Sequence, residues 1–389
     1  MKSLFFLMKY PTCVPETLKR KFNGQMNACM RLGYEAWYLE WDGAGFDLVC
    51  RNTGQRRRVM NTTRALPRET YYHTLYFVDM YRAAIRALGM HAFQLMYIRF
   101  LPTFPPAVRF VRLAKKRGVT LVQEIPTYLG QGNGDGSVQP GLARRVGLRL
   151  SNAYARLAQR HVDFFTVIGE DAGGRLYGKP AMNIHNGIDV GAIPLRSYQP
   201  RQDGLHLLLL ASMCDWHGYD RMIDALRRYR GGETITLHFA GNDGDGSLAK
   251  WRELAREQGL EDRVCFHGAV YGQELDELVN GMDLGISSLG LYRIGLSVGT
   301  VMKGREYMAR GLPFVYAGED PAIAKDHPFA LQVPNDDSPI EMEDVAAFAL
   351  RVRATADAAQ RMREYAQQNM SWETEFERIL SAVDKGGRL

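Results

Sequence analysis

The 389-residue sequence has no long apolar run. Its richest stretch, LHLLLLA from Leu205, is far short of the roughly 20 residues that a membrane-spanning helix needs. Cysteine is scarce and scattered. Cys13, Cys29, Cys50, Cys214 and Cys265 form no C-x-x-C pair, which argues against a disulfide framework or a zinc ribbon and for a reducing cytoplasm. The histidines fall into no H-E-x-x-H or other ligand spacing, so no metal is expected. The opening MKSLFFLMKY has too short an apolar core for a signal peptide and no small-residue cleavage site, so it reads as a first strand. No internal repeat is visible. No helix-turn-helix, zinc or RNP motif is present either, and no nucleic-acid partner is expected.

What is present describes a soluble chain of two domains. The composition is 46% hydrophobic and 24% charged, and the length exceeds one ordinary core. Charge is unevenly divided. Residues 1–195 hold 27 Lys and Arg against 13 Asp and Glu, whereas the remainder holds 22 against 30. A basic half joined to an acidic half points the first toward an anionic partner or surface. Two clusters stand out: Arg109, Arg112, Lys115, Lys116 and Arg117, and Arg144, Arg145, Arg149, Arg156 and Arg160 on an expected helix over 142–160.

Ser3–Met8, the helical spacing of Gly24–Leu32 and the strand-like Glu35–Glu40 open a doubly wound parallel sheet. Residues 51–70 are polar and arginine-rich and receive no assignment. A helix over 71–88 turns Tyr72, Leu75 and Tyr76 to the core, with Asp79 opposite. Arg99 and Glu124 end strands Gln94–Phe100 and Val119–Ile125, where open sheets bind ligands. After a linker over 190–204, strands at Leu205, Thr234, Val264, Met282 and Leu312 alternate with helices.

The densest stretch is RIGLSVGTVMKGREYMARGLP, from Arg293 to Pro313. A glycine-rich loop leads into a helix that Thr300 is placed to cap and Gly311 to end. Free amides gather where an anion can sit. Lys303 suits phosphate, and Glu306, three residues on, suits a ribose diol. An ordinary α/β turn with a solvated Lys–Glu pair accounts for this stretch equally well. Asp243-Gly244-Asp245 has D-x-D spacing but sits in a glycine-rich turn and reads as surface.

These motifs together resemble glycosyltransferase family 4, retaining enzymes of GT-B fold. Those that carry the likeness are Asn186-Gly187-Ile188-Asp189, Trp216-His217-Gly218-Tyr219, Phe239-Ala240-Gly241, Phe266-His267-Gly268, Asp283-Leu284-Gly285 and Lys303-Gly304-Arg305-Glu306-Tyr307. Tyr97-Ile98-Arg99 and Glu124-Ile125-Pro126-Thr127-Tyr128 are similar to bacterial members that build exopolysaccharide, capsule or lipopolysaccharide. The resemblance implies an α/β architecture of two Rossmann-like domains facing a cleft: an acceptor side over 1–195, a nucleotide-sugar side over 196–370, and a C-terminal helix over 371–389 returning to the first.

It implies sugar transfer from a nucleotide diphosphate to a hydroxyl of a lipid-linked glycan, without metal or other cofactor, at the cytoplasmic face of an anionic membrane. Glu306 would be the second glutamate of an E-x7-E pattern and hold the ribose, with His217, Gly218, Gly268, Gly299 and Thr300 completing the donor site. Arg293 and Lys303 would meet the diphosphate, and Arg99 and Glu124 would orient acceptor or sugar. The chain departs from the pattern at Val298, where the first glutamate would stand, and at Ser212, where an arginine would. A sugar-nucleotide epimerase of the same fold would share the ribose glutamate but release free nucleotide without an acceptor, and a GT-B scaffold without activity would explain Val298 and Ser212.

Overall fold

In a computed structural model the chain divides into two units, Met1–Ile184 with Glu375–Leu389, and His185–Thr374. The structure describes residues 2–8, 16–62, 70–71, 75–99, 105–128, 153–169 and 171–386. Tyr72, Arg144, Arg145 and Arg149 lie outside them. The division falls ahead of the expected boundary at Leu195. The Asn186–Ile188 segment is bonded into the second unit, where the Ile188 amide donates to Met370 O.

In the first unit β1 (Lys2–Leu7) is buried from Ser3 onward. It pairs in parallel with β2 (Tyr34–Trp41) on one side and β5 (Leu95–Ile98) on the other. Parallel pairing continues from β5 to β6 (Thr120–Tyr128), to β7 (Phe164–Gly169) and to β9 (Lys179–Asn183), on which β8 (Arg175–Leu176) folds back antiparallel. Helix α1 (Glu16–Arg31) links β1 to β2, and the chain later returns to the other side of β1. The strand order therefore reverses between β1 and β5, and the carboxyl ends there form a natural binding position.

The unassigned stretch 51–70 proves to hold an edge strand. β3 (Gly45–Cys50) folds back antiparallel on β2, and β4 (Arg56–Asn61) on β3. Asp42 Oδ1 accepts the amides of Ala44 and Gly45, both at 2.8 Å, and closes the first turn. Arg56 pairs with Glu40, and Arg58 with Asp42 and Asp47, so part of the basic excess is matched locally. Helix α2 (Tyr76–Met90) begins later than expected. Tyr76 is core, but Leu75 is 42% exposed. Asp79, expected outside, is buried and accepts the Tyr71 hydroxyl at 3.0 Å. A buried phenol and a neighbouring carboxylate satisfy each other, which an apolar count misses. Helix α3 (Pro105–Lys116) buries Ala107, Phe110, Val111 and Ala114, and turns Arg109, Arg112 and Lys116 outward.

The second unit is a six-stranded parallel sheet. Its members are β10 (Leu205–Leu210), β11 (Ile235–Ala240), β12 (Val264–Gly268), β13 (Leu284–Ile286), β14 (Phe314–Ala317) and β15 (Ala330–Val333). Their order is β12-β11-β10-β13-β14-β15, so here the reversal lies between β10 and β13. Crossover helices α4 (Asp220–Arg228), α5 (Ser247–Glu257), α6 (Gly272–Asn280) and α7 (Met302–Arg310) bury one stripe each, as buried parallel strands require. Helices α8 (Met342–Arg353) and α9 (Ala358–Asn369) follow, and α10 (Trp372–Asp384) carries the chain back to the first unit.

Three histidines cross this sheet in a hydrogen-bonded row. His206 Nδ1 lies 2.8 Å from His238 Nε2, and His238 Nδ1 lies 2.9 Å from His267 Nε2. His206 Nε2 meets Asp203 Oδ1 at 2.9 Å. One tautomer, Nε2–H on all three rings, satisfies the whole row with every ring neutral. Burial, with His206 and His267 beside it, lowers the His238 pKa from 6.5 to about 3. Unfolding therefore takes up a proton at this site. The stability so gained is complete above about pH 6.5 and is lost as pH falls from there toward about 3. Thermal unfolding scanned across that window should show a steep acid loss that His238→Gln flattens. An unchanged slope in the variant would remove the row from the explanation.

Candidate functional site

The loop after β10 and the loop after β13 meet at the reversal point of the second sheet. Gly218, at φ +64°, lies where a Cβ would come within 2.8 Å of the Gly290 nitrogen. Glycine is what lets these backbones touch, and the Leu289 amide donates to His217 O at 2.8 Å. The contact turns His217 inward. Its Nε2 donates to Ser212 O at 3.1 Å, leaving Nδ1 to accept from Ser288 Oγ at 3.0 Å and from Lys303 Nζ at 2.8 Å. Burial first, and next the positive charge that Lys303 carries when protonated, lower the His217 pKa to about 2, so the ring is a neutral acceptor.

Lys303 projects from the first turn of α7 into this cluster. Its Nζ lies 3.1 Å from the Tyr219 hydroxyl and 5.6 Å from the Trp216 ring centroid. Among the described residues no carboxylate comes within ion-pair distance of it. Burial pushes its pKa well below the usual lysine value.

The other expected residues are placed differently. Arg293 was expected at a diphosphate, but its guanidinium forks onto Asp220 at 2.9 and 2.7 Å and donates to Asp215 O at 2.9 Å. The Asp220 carboxylate first, and then Tyr292, raise its pKa, and the bonds tie the loop after β13 to the loop after β10. Thr300 does not cap α7. Val301 holds the cap position, and the Thr300 hydroxyl and carbonyl accept from Asn186 N at 3.2 Å and Asn186 Nδ2 at 3.0 Å. Gly299 pairs across to Glu319, its amide donating at 2.9 Å. Gly268, at φ +73°, accepts the Gly241 amide at 2.6 Å and holds the ends of β11 and β12 together. Glu306 Oε1 accepts from Arg310 at 3.0 Å, while Oε2 has no partner among the described residues. The aspartates of the D-x-D are engaged locally: Asp243 accepts Gly246 N, and Asp245 accepts Ser247 N and Asp215 N. Among the described residues no group of three His, Cys, Asp or Glu is placed to hold a metal ion.

A residue without an assigned role in the sequence organises these pieces. Arg305 is fully buried, forks onto Asp320, and donates through Nε to Asn186 O at 3.0 Å. Its place beside Glu306 gave no hint of burial, because an arginine on a helix reads as solvated.

The first unit carries a separate cluster at its own reversal point. Glu124 is completely buried and accepts from Lys21 Nζ at 2.9 Å, Gln25 Nε2 at 2.8 Å and the Tyr97 hydroxyl at 2.7 Å, with Arg99 at 3.3 Å. Burial alone would raise its pKa; Lys21, Arg99 and Tyr97 outweigh that and hold it low. The structure thus brings Arg99 and Glu124 together and adds Lys21 and Gln25. Their i, i+4 spacing on α1 was a readable signal that they share a face. A groove of about 490 Å³ elsewhere in this unit, lined in part by Asp171, Asn183, Arg378 and Lys385, holds none of the candidate residues.

Residues 204–354 match the family model described as glycosyl transferases group 1. Among curated proteins no sequence match is found. Among solved structures the chain is similar to Anabaena Alr3699/HepE in complex with UDP, with TM-score 0.59 and 15% identity over 99% of this chain and 100% of that one. It is also similar to the catalytic domain of Arabidopsis thaliana starch synthase IV bound to ADP and acarbose, with TM-score 0.60 and 12% identity over 99% of each. A third likeness is to the lipopolysaccharide outer core galactosyltransferase WaaB, with TM-score 0.54 and 12% identity over 99% of each. The fold is that of GT-B glycosyltransferase structures.

Arg305→Met should cost about 3–5 kcal/mol, because it leaves Asp320 buried without its cation. Asn186→Ala, which removes the Nδ2 bonds to Thr300 and keeps the backbone one, should cost about 1 kcal/mol. Urea unfolding midpoints of the two variants would show that order, and an equal cost would contradict the anchoring role given to Arg305.

Proposed function

We propose that this protein is a retaining glycosyltransferase that moves a sugar from a nucleotide diphosphate to a hydroxyl of a lipid-linked glycan. One observation carries the reading: Lys303, which has no counter-ion among the described residues, stands at the sheet's reversal point one turn before a half-open carboxylate, Glu306. A cation for diphosphate and an acceptor pair for a ribose diol are what a nucleotide requires there. The match over residues 204–354, which contains both, supports it, as do similar structures that hold UDP or ADP.

As the glycosidic bond opens, negative charge grows on the departing diphosphate. Lys303 and the first-turn amides of α7 meet it, so the reaction needs no metal. Arg293 is assigned a positioning role, since Asp220 and Asp215 already hold it. His217 aims Lys303, and Glu306 takes the ribose through its open oxygen. In the first unit Arg99 is assigned to orienting the acceptor or the donor sugar, with the buried Glu124 positioning it. The likeness to WaaB supports a surface-polysaccharide acceptor.

Glu306→Ala should weaken nucleotide diphosphate binding by about 2–3 kcal/mol with little loss of stability, since Arg310 keeps Asp276. Lys303→Met should lower transfer roughly 10²-fold, with a larger effect on kcat than on KM. Wild-type binding in the first variant and wild-type turnover in the second would return both residues to an ordinary helix face. Release of free nucleotide from UDP-sugars without acceptor would favour an epimerase instead.

The exposed basic face of α3 supports residence on an anionic membrane. Among the described residues no helix is long and apolar enough to cross one. Each Lys or Arg held near an anionic surface gains about 1 kcal/mol, and the gain fades with salt. Co-sedimentation should need vesicles containing phosphatidylserine, weaken with salt, and fall in the triple variant Arg109→Gln, Arg112→Gln, Lys116→Gln. Equal recovery on neutral vesicles would refute membrane residence and leave sugar transfer standing.

A further inference from the structure

We infer that nucleotide binding at this site is coupled to uptake of one proton, with Lys303 the group that takes it up. The inference rests on the reading of the site as a nucleotide diphosphate site and adds to it a dependence of affinity on pH. The geometry is that of a cation site whose charge has been withheld. Lys303 Nζ is surrounded by an imidazole nitrogen at 2.8 Å, a phenol oxygen at 3.1 Å and an indole ring. None of these carries negative charge.

The titratable groups that face the amine are few. From the β10 loop come His217, neutral because of its burial, and Cys214, whose thiol burial pushes up and keeps protonated. From the start of α4 comes Tyr219, also pushed up by burial, with Tyr307 behind it. Asp243 and Asp245 act on Cys214 rather than on the amine, and Asp215 and Asp220 are committed to Arg293. From β13 only the Ser288 hydroxyl reaches the cluster, through His217.

An amine so placed is favoured in its neutral form, which matches the downward shift of its pKa. A diphosphate arriving beside it reverses the balance. The anion supplies the missing counter-charge, the amine picks up a proton from water, and the ammonium so formed holds the phosphate. His217 cannot be that acceptor: its Nε2 proton is held by Ser212 O and its ring sits beside the amine. His217 is therefore a positioning residue that keeps a polar acceptor at Nζ without adding a charge. The arrangement gives the site a low cost when empty and a strong hold when full, because a permanent buried cation would be desolvated at all times.

Isothermal titration of the full chain with UDP, ADP and GDP at about pH 8, in two buffers of different ionisation enthalpy, counts the protons. The second phosphate pKa is about 6, so the ligand itself contributes none there. Wild-type protein should take up about one proton per nucleotide, and Kd should weaken by up to about tenfold per pH unit above the pKa of the free amine. Lys303→Arg, always charged, should bind with no uptake and a nearly flat pH profile. Measurable binding without uptake in the wild type overturns the inference and leaves the nucleotide site intact. Uptake that persists in Lys303→Arg also overturns it, since another group would then be responsible. Binding of none of the three nucleotides by folded protein overturns both the inference and the site.

Discussion

Everything at the second unit's site hangs on one buried guanidinium. Arg305 has no exposed surface, and its fork and Nε fix Asp320 after β14 and Asn186 at the start of the unit. Asn186 in turn holds Thr300, the last loop residue but one before α7. Three distant stretches of chain thus share a single anchor. A buried ion pair costs desolvation and persists only where its hydrogen bonds are matched. Here the matched geometry fixes the register of α7, and with it the direction in which Lys303 points.

The two sheets solve the same placement problem independently. Each reverses its strand order once, at β1/β5 and at β10/β13. Each gathers its buried ionisable groups at the carboxyl ends beside that reversal: Lys21, Arg99 and Glu124 in one, His217 and Lys303 in the other. Their electrostatics differ. In the first unit a central carboxylate binds cations to itself, giving a preformed and inward-looking network. In the second a lone amine is left with neutral partners among the described residues, which is what the proposed nucleotide site requires.

The sequence exposed the fold more readily than the site. Runs such as Leu205–Leu210 and Phe314–Ala317 are buried on both faces, so composition alone marks them as parallel strands. The β3–β4 hairpin escaped because Arg56, Arg57 and Arg58 face solvent and the adjacent Val59 and Met60, partly buried against the core, make no alternating pattern. At the site, residue types were legible and partners were not. Arg293 and Lys303 look alike in sequence, yet one finds Asp220 and the other finds His217. Thr300 has the chemistry of a cap, but Asn186, more than a hundred residues earlier, claims its oxygens. The histidine row is equally silent, since its members come together only when β10, β11 and β12 align.

The arginines of β4 have a consequence for how the molecule behaves in company. An outermost strand offers unpaired amides and carbonyls to any passing chain, and a second copy is the commonest visitor. Arg56, Arg57 and Arg58 stand in succession on that strand, Arg56 and Arg58 paired with carboxylates of the neighbouring strands and Arg57 exposed between them. A copy docking edge to edge would bring its own three arginines against them. An edge-to-edge approach would set the exposed Arg57 of each copy against the other, a like-charge contact that blunts this edge.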